Sequence, residues 1–337
     1  MKPEALIRPL IIEGNKIKIL DQRKLPFLEE WLLIDHPQAM INAIQSLAVR
    51  GAPLLGLAGL GGIYLSALVS SSSKEHEAWV EKIINARPTA VQLSLVTRQA
   101  YQLYAHLSLH SQALKLEQHF KLVEKQLYQE SEKIAMQGQT ILPENANILT
   151  HCNTGSLAMG GWGTALGIFT YGFLKLKKKL NIFYTETRPL QQGLRLTGFE
   201  LSKYGIPSQC ITDSASAFMM RQGMIDLVIT GADRIAVNGD TANKIGTLSI
   251  AIAATYHKIP FYIAAPLSTL DRKAENGNSF PIEYRSMDEI SLCSAFQETR
   301  KIPKFQGKNP AFDITPFSLI DAYITEKGVL RPPLLID

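Results

Sequence analysis

From about residue 146 onward, short apolar runs alternate with longer stretches of helical periodicity. Runs at 146–150, 180–184, 208–212, 227–230 and 261–264 have the length and β-branched content of strands buried on both faces. Helical spacing fills the intervals, as at 190–204 and 243–257. This alternation predicts βαβ crossovers and a parallel sheet, and right-handed crossovers cover both faces with helices.

The first part of the chain follows another pattern. Short strands are expected within 7–19, and helices over 37–49 and 111–137. Gly138, Pro143 and Asn145 then interrupt the helical spacing. The expected fold class is therefore α/β: a smaller, mainly helical N-terminal domain over 1–140, then a Rossmann-like, doubly wound parallel sheet over 141–337. A chain of 337 residues can bury a core in each. No charge interrupts Ala52 to Val69, which raises the question of a membrane span. Pro53 and the glycines at 56, 59, 61 and 62, with no companion span, instead predict a tightly packed buried helix and no membrane partner.

Composition narrows the classes. Apolar residues form 46% and charged residues 19%, ordinary for a soluble enzyme. The net charge of +5 is mild. Its densest basic cluster, Lys175-Leu-Lys-Lys-Lys179, falls where a helix should end, and cations there complement the dipole. No aromatics interleave with it, so no nucleic-acid partner is expected. Three widely spaced cysteines, Cys152, Cys210 and Cys293, argue against a disulfide framework and for a cytoplasmic location. The N-terminus shows no charged-then-apolar export pattern.

The chemistry is concentrated after predicted strands. Leu227-Val-Ile-Thr-Gly-Ala-Asp-Arg-Ile235 runs on to Asn238-Gly-Asp-Thr-Ala-Asn-Lys-Ile-Gly-Thr247, with Asp233, Asn243 and Lys244. In open α/β sheets ligands sit beyond the carboxyl ends of strands. Polar groups this dense there suit a small, anionic, polyhydroxylated molecule. Cys152 follows another strand in the same relative place, facing a helix start. His151 and Cys152 should point to opposite faces and form no dyad. Glu186-Thr-Arg-Pro-Leu-Gln-Gln-Gly193 follows a third strand; Arg188 could fork onto a phosphate, and Gln192 could meet sugar hydroxyls. Arg50-Gly-Ala-Pro53 precedes the apolar helix, where backbone N–H groups of Gly51 and Ala52 could face an anion. His106 and His110 lack a third ligand nearby, and the glycines of Gly160-Gly-Trp-Gly163 do not match a dinucleotide fingerprint. Neither a metal nor a nucleotide cofactor is indicated.

Taken together these blocks resemble the methylthioribose-1-phosphate isomerases. The resemblance runs through Arg50-Gly-Ala-Pro53, Arg87-Pro-Thr-Ala-Val91, Thr150-His-Cys-Asn153, Glu186-Thr-Arg-Pro189, Gly231-Ala-Asp-Arg-Ile235, Asn238 to Thr247, Asn309-Pro-Ala-Phe-Asp-Ile-Thr-Pro316 and Ile324 to Val329. It implies an aldose–ketose isomerase of methionine salvage, converting 5-methylthioribose-1-phosphate to 5-methylthioribulose-1-phosphate. It implies a catalytic pair, Cys152 and Asp233, and substrate-binding positions Arg50, Gly51, Ala52, Arg87, Gln192, Asn243 and Lys244. No cofactor or metal and a homodimer are also implied. Gln92, Met159, Trp162 and Thr185 depart from the family's usual residues. Isomerases of 5-deoxyribose-1-phosphate or ribose-1,5-bisphosphate share the pair, whereas related regulatory subunits of a translation-initiation exchange factor generally lack it. For Asp233 to act as an acid its pKa must rise, and Ile229, Ile235 and Val237 would supply the apolar surroundings.

Overall fold

The computed structural model describes residues 6–291 and 306–332; Cys293 lies outside them. The chain divides into two compact units, Met1–Glu132 with Thr154–Gly163, and Lys133–Asn153 with Thr164–Asp337. The division falls within the helix Leu109–Gly138.

The first unit opens with an antiparallel meander of Leu10–Glu13 (β1), Lys16–Leu20 (β2) and Trp31–Ile34 (β3). Ile17 and Ile19 of β2 are fully buried while Lys16 is exposed, the alternation of a one-faced strand. Helices Pro37–Gln45 (α1), Ala52–Val69 (α2), Ser73–Ile84 (α3), Val91–Tyr104 (α4) and Leu109–Gly138 (α5) follow. Ser72 caps α3 by accepting from Glu75 N–H at 3.3 Å. The membrane-length helix α2 is 78% buried and packs against α1, α3 and α4. It is apolar on every side because every side meets protein. A short helix, Ser156–Met159 (α6), belongs to the same unit.

The second unit carries strands Asn145–Thr150 (β4), Lys179–Thr185 (β5), Ser208–Ile211 (β6), Leu227–Thr230 (β7), Arg234–Ala236 (β8), Thr241–Lys244 (β9), Phe261–Ala264 (β10), Leu270–Asp271 (β11), Phe312–Thr315 (β12), Ala322–Thr325 (β13) and Gly328–Leu330 (β14). Its helices include Ala165–Leu174 (α7), Gly198–Lys203 (α8), Ser216–Arg221 (α9), Thr247–His257 (α10) and the short Asp288–Ser291 (α11). Seven strands form one sheet in the order β14-β13-β10-β7-β4-β5-β6, parallel except for the β13–β14 hairpin. The chain winds outward from β4 through β5 to β6, then returns to the other side of β4 for β7, β10 and β13. The doubly wound α/β expectation is met, and the winding reverses between β4 and β7. Leu149, Phe183, Val228, Ile263 and Tyr323 lie in the core of this unit.

Two helical expectations change. Over 243–257, Asn243 and Lys244 lie on strand β9, and helix begins only at Thr247. The reason is tertiary: β9 pairs antiparallel with β8 on one side and β12 on the other, in a second sheet ordered β11-β8-β9-β12. Over 190–204, a π-helical turn at Gly193–Thr197 leads into α8. Of the basic cluster after α7, Lys177 is used as the dipole argument requires, its Nζ donating to the Leu174 carbonyl at 2.8 Å. Lys178 Nζ instead donates to the Leu142 carbonyl, outside that helix.

Candidate active site

Adjacent parallel strands β4 and β7 end at Thr150 and Thr230, and Cys152 and Asp233 follow them at the reversal of the winding. Ligands of open α/β sheets gather at this kind of crevice. Cys152 is 9% exposed and adopts the left-handed backbone, φ 62°. Its N–H donates to Thr187 Oγ1 at 2.9 Å, and its carbonyl accepts from the Thr197 hydroxyl at 2.7 Å. Asn153, also buried, donates through Nδ2 to Glu200 Oε1 at 2.7 Å.

His151 is wholly buried and points elsewhere. Its Nε2 lies 2.8 Å from the Ile245 carbonyl, which can only accept, so Nε2 carries the proton. Nδ1, 2.6 Å from Thr185 Oγ1, then accepts from that hydroxyl. The Ile245 carbonyl thus fixes the tautomer, and the Thr185 hydroxyl donates to the nitrogen left without a proton. Burial, foremost, keeps the His151 pKa below the ordinary histidine value. The ring is neutral and both nitrogens are committed, so His151 and Cys152 form no dyad.

Asp233 N–H donates to the Ala242 carbonyl at 3.0 Å, just ahead of β8. The β8–β9 register pairs Arg234 with Ala242, so its continuation sets Asp233 against Asn243; β12 sets Asp313 against Asn243 from the other side. The three form one row across the small sheet. Asn243 Nδ2 donates to Thr247 Oγ1 at 3.0 Å. The Asp313 carboxylate accepts from Gly246 N–H at 2.8 Å and Leu248 N–H at 3.2 Å, at the start of α10. Asp313 was not singled out from the sequence, although it lies inside the Asn309 to Pro316 block. Burial pushes its pKa up to about 6, against those hydrogen bonds and the Lys244 charge.

The expected drying of Asp233 is not what the fold provides. Ile229 and Ile235 are buried in the core, Val237 is 43% exposed, and Asp233 itself is exposed. Lys244 Nζ donates to the Ala311 carbonyl at 3.1 Å and lies 4.5 Å from the Phe312 ring centre. Gln192 is 7% exposed, and among the described residues its Oε1 has no hydrogen-bond partner. An orphaned buried acceptor of this kind suits a ligand hydroxyl. Arg188 does not offer the phosphate fork expected of it: Nη1 donates to the Pro189 carbonyl and Nη2 to the Ile290 carbonyl, both at 3.0 Å.

The remaining sequence-selected residues belong to the first unit. Gly51 is the N-cap of α2 with φ 92°, and a Cβ there would lie 2.1 Å from the Ala158 carbonyl oxygen. Only glycine fits that cap. Ala52 begins α2, with Pro53 in its first turn; Arg50 immediately precedes the cap, and Arg87 lies between α3 and α4. Met159 and Trp162 are buried in this unit, with Trp162 N–H donating to Ser131 Oγ at 3.0 Å. His106 falls in the turn before α5 and His110 on α5, so they share no helical face.

The Initiation factor 2 subunit family matches residues 48–332. Methylthioribose-1-phosphate isomerase from Caldicellulosiruptor saccharolyticus is 44% identical over 330 residues, covering 95% of each chain. The chain belongs to the Initiation factor 2 subunit family and, within it, to the methylthioribose-1-phosphate isomerases. The crystal structure of 5-methylthioribose 1-phosphate isomerase from Pyrococcus horikoshii OT3 superposes with a TM-score of 0.89 at 34% identity, covering 99% of this chain and 96% of that one. A crystal structure named as translation initiation factor eIF-2B, subunit delta, from A. fulgidus gives 0.86, also at 34% identity, over 97% and 96%.

Proposed function

We infer that the chain is an aldose–ketose isomerase of methionine salvage, converting 5-methylthioribose-1-phosphate to 5-methylthioribulose-1-phosphate. The near-complete likeness to relatives of that name supports this activity. For the residues that perform it, one observation carries the reading: Cys152 and Asp233 leave neighbouring strands at the reversal of the sheet.

The phosphate on the anomeric carbon blocks the easy ring opening used by free sugars, so the ring oxygen must receive a proton as the ring opens. Asp233 is assigned that donation, the C2 hydroxyl returns a proton as C2 becomes the ketone, and Cys152 acts at the carbon pair where hydrogen passes from C2 to C1. The product is an isomer, so no outside oxidant or reductant enters. Gln192 and Asn243 are assigned to sugar hydroxyls, and Arg50, Arg87 and Lys244, with the N–H groups of Gly51 and Ala52, to the phosphate. A homodimer in the cytoplasm is part of the same reading. Exposed Ile252 and Tyr256 on α10, and exposed Phe218 on α9, which packs against α10, support self-association, and the free thiols of Cys152 and Cys210 support a reducing compartment.

Purified protein is mixed with 5-methylthioribose-1-phosphate, 5-deoxyribose-1-phosphate and ribose-1,5-bisphosphate, and ketose formation is followed by phosphorus and carbon NMR. Preferred conversion of the methylthio sugar is expected. A thiomethyl group is worth only about 1–3 kcal/mol, so the deoxy sugar should also turn over, ~10- to 100-fold less efficiently. Preference for the bisphosphate moves the protein to a different pathway. Folded protein inert to all three reduces it to a regulatory subunit.

A further inference from the structure

Two residues other than glycine meet in the left-handed backbone region beside the β4 and β5 strand ends: Cys152 at φ 62° and Thr187 at φ 64°. For a β-branched residue such as Thr187 this conformation is strained, and it persists only where surrounding groups impose it. The surroundings do so with specific bonds. Asp213 accepts from Thr187 N–H at 2.8 Å with one carboxylate oxygen and from Arg188 N–H at 2.7 Å with the other. Thr187 Oγ1, held by that clamp, accepts the Cys152 N–H at 2.9 Å. Its own proton faces Thr185, with Oγ1 at 3.0 Å and the carbonyl at 3.3 Å. The Thr185 hydroxyl proton is already given to neutral His151, so the Thr187 hydroxyl donates in this direction. At Gly193 a Cβ would come within 1.8 Å of the Thr185 carbonyl and 2.8 Å of Thr187 Oγ1, so glycine leaves the room the clamp occupies.

We propose that Thr187, clamped by Asp213, is a positioning residue that holds Cys152 in its left-handed backbone conformation and so fixes where the thiol sits. The inference rests on the reading of Cys152 as a reacting group. Neither residue touches substrate in this account; both act through the Cys152 backbone. Glu186-Thr-Arg-Pro189 is then needed for its threonine hydroxyl, while its arginine is spent on backbone carbonyls.

The test compares Thr187→Val, which keeps the shape and removes the hydroxyl, with Thr187→Ser, which keeps the hydroxyl. In Thr187→Val, kcat for 5-methylthioribose-1-phosphate should fall ~100-fold, the scale of a misplacement of about 1 Å, while KM stays within about threefold. Thr187→Ser should recover most of the loss. The rate of Cys152 alkylation by iodoacetamide, measured with Cys210 and Cys293 replaced by alanine, should change in Thr187→Val and return in Thr187→Ser. Equal losses in both variants would assign the effect to packing and overturn the proposal, as would wild-type kcat and alkylation in Thr187→Val. Should Thr187→Val fail to fold, Asp213→Asn carries the same expectation, because an amide accepts only one of the two backbone N–H groups. Failure of the isomerase reading is a separate result: wild-type protein would turn over no sugar, while the alkylation comparison would still decide the clamp.

Discussion

Asp313 shows how a single side chain acquires its chemistry from its neighbours. Its carboxyl is pushed up to about 6 by burial, above the ordinary aspartate value of 3.8. Between those values the folded state binds a proton that the unfolded chain has released, so this group's contribution to stability declines as pH rises through the window. Asp313→Asn can still accept a backbone N–H and has no charge to bury. Melting curves from pH 4 to 7 should therefore show the variant gaining on the wild type as pH rises; a constant difference would contradict the shift. At the proposed catalytic pair, Cys152→Ser and Asp233→Asn should each lower turnover by at least ~100-fold with melting temperature little changed. Near-normal turnover in either would remove that residue from the chemistry. The exposure of Asp233 matters here: the apolar side chains expected to dry it are in the core or in solvent, so the chain's own neighbours at 229, 235 and 237 do not enclose it.

Among the elements, the small sheet is the least obvious in the sequence and the most consequential. Thr-Ala-Asn-Lys is a poor strand by composition, yet β9 runs between two antiparallel partners, and β12 comes from a segment about seventy residues away. Asp240 ties the turn between β8 and β9 to two other segments, accepting from Gly277 N–H and, just after β12, from Phe317 N–H, both at 3.0 Å. Burial works to raise its pKa, but bonds from Asn238, Gly277 and Phe317 hold it below the ordinary carboxylate value. Replacing Asp240 with alanine strands both donors, and urea denaturation should show a loss of roughly 1–3 kcal/mol. No loss would mean that water replaces the carboxylate. In the first unit, Gly51→Ala forces a Cβ against Ala158 at φ 92° and should cost roughly 1–3 kcal/mol by the same measurement.

Across the whole molecule, each unit buries a neutral histidine. Burial holds His151 below the ordinary histidine pKa and pushes His76 down to about 4. Below about 6.5 the unfolded chain takes up protons that these folded sites refuse, so stability should fall as pH drops through that value, until about 4 for His76. Asp313 works in the opposite direction within its own narrower window. Calorimetry of Asp313→Asn, which removes that opposing group, at pH 7, 6 and 5 should show a declining melting temperature, and a flat profile would mean that the histidines titrate normally. The proposed dimer belongs to this scale as well. Ile252→Glu with Tyr256→Glu should shift the mass measured by light scattering from dimer to monomer; an unchanged mass would place any interface elsewhere.

Hydrophobic periodicity by itself determined the parallel strands β4, β5, β6, β7 and β10, the buried helix α2 and the polar strand ends bearing Cys152, Gln192 and Asp233, because those signals are local and repeat over several residues. Strand order lay beyond it. Only the tertiary structure set β7 beside β4, and so brought the strand ends of Cys152 and Asp233 to one reversal of the sheet. It also decided that Asn243 and Lys244 sit on a strand, that Arg188 donates to backbone carbonyls, and that Thr187, Asp213 and Asp313 accept from the backbone N–H groups of Cys152, Arg188 and Gly246. Each of these depends on a partner tens of residues or more away, or on a left-handed backbone whose strain only that partner offsets, and no local pattern encodes either.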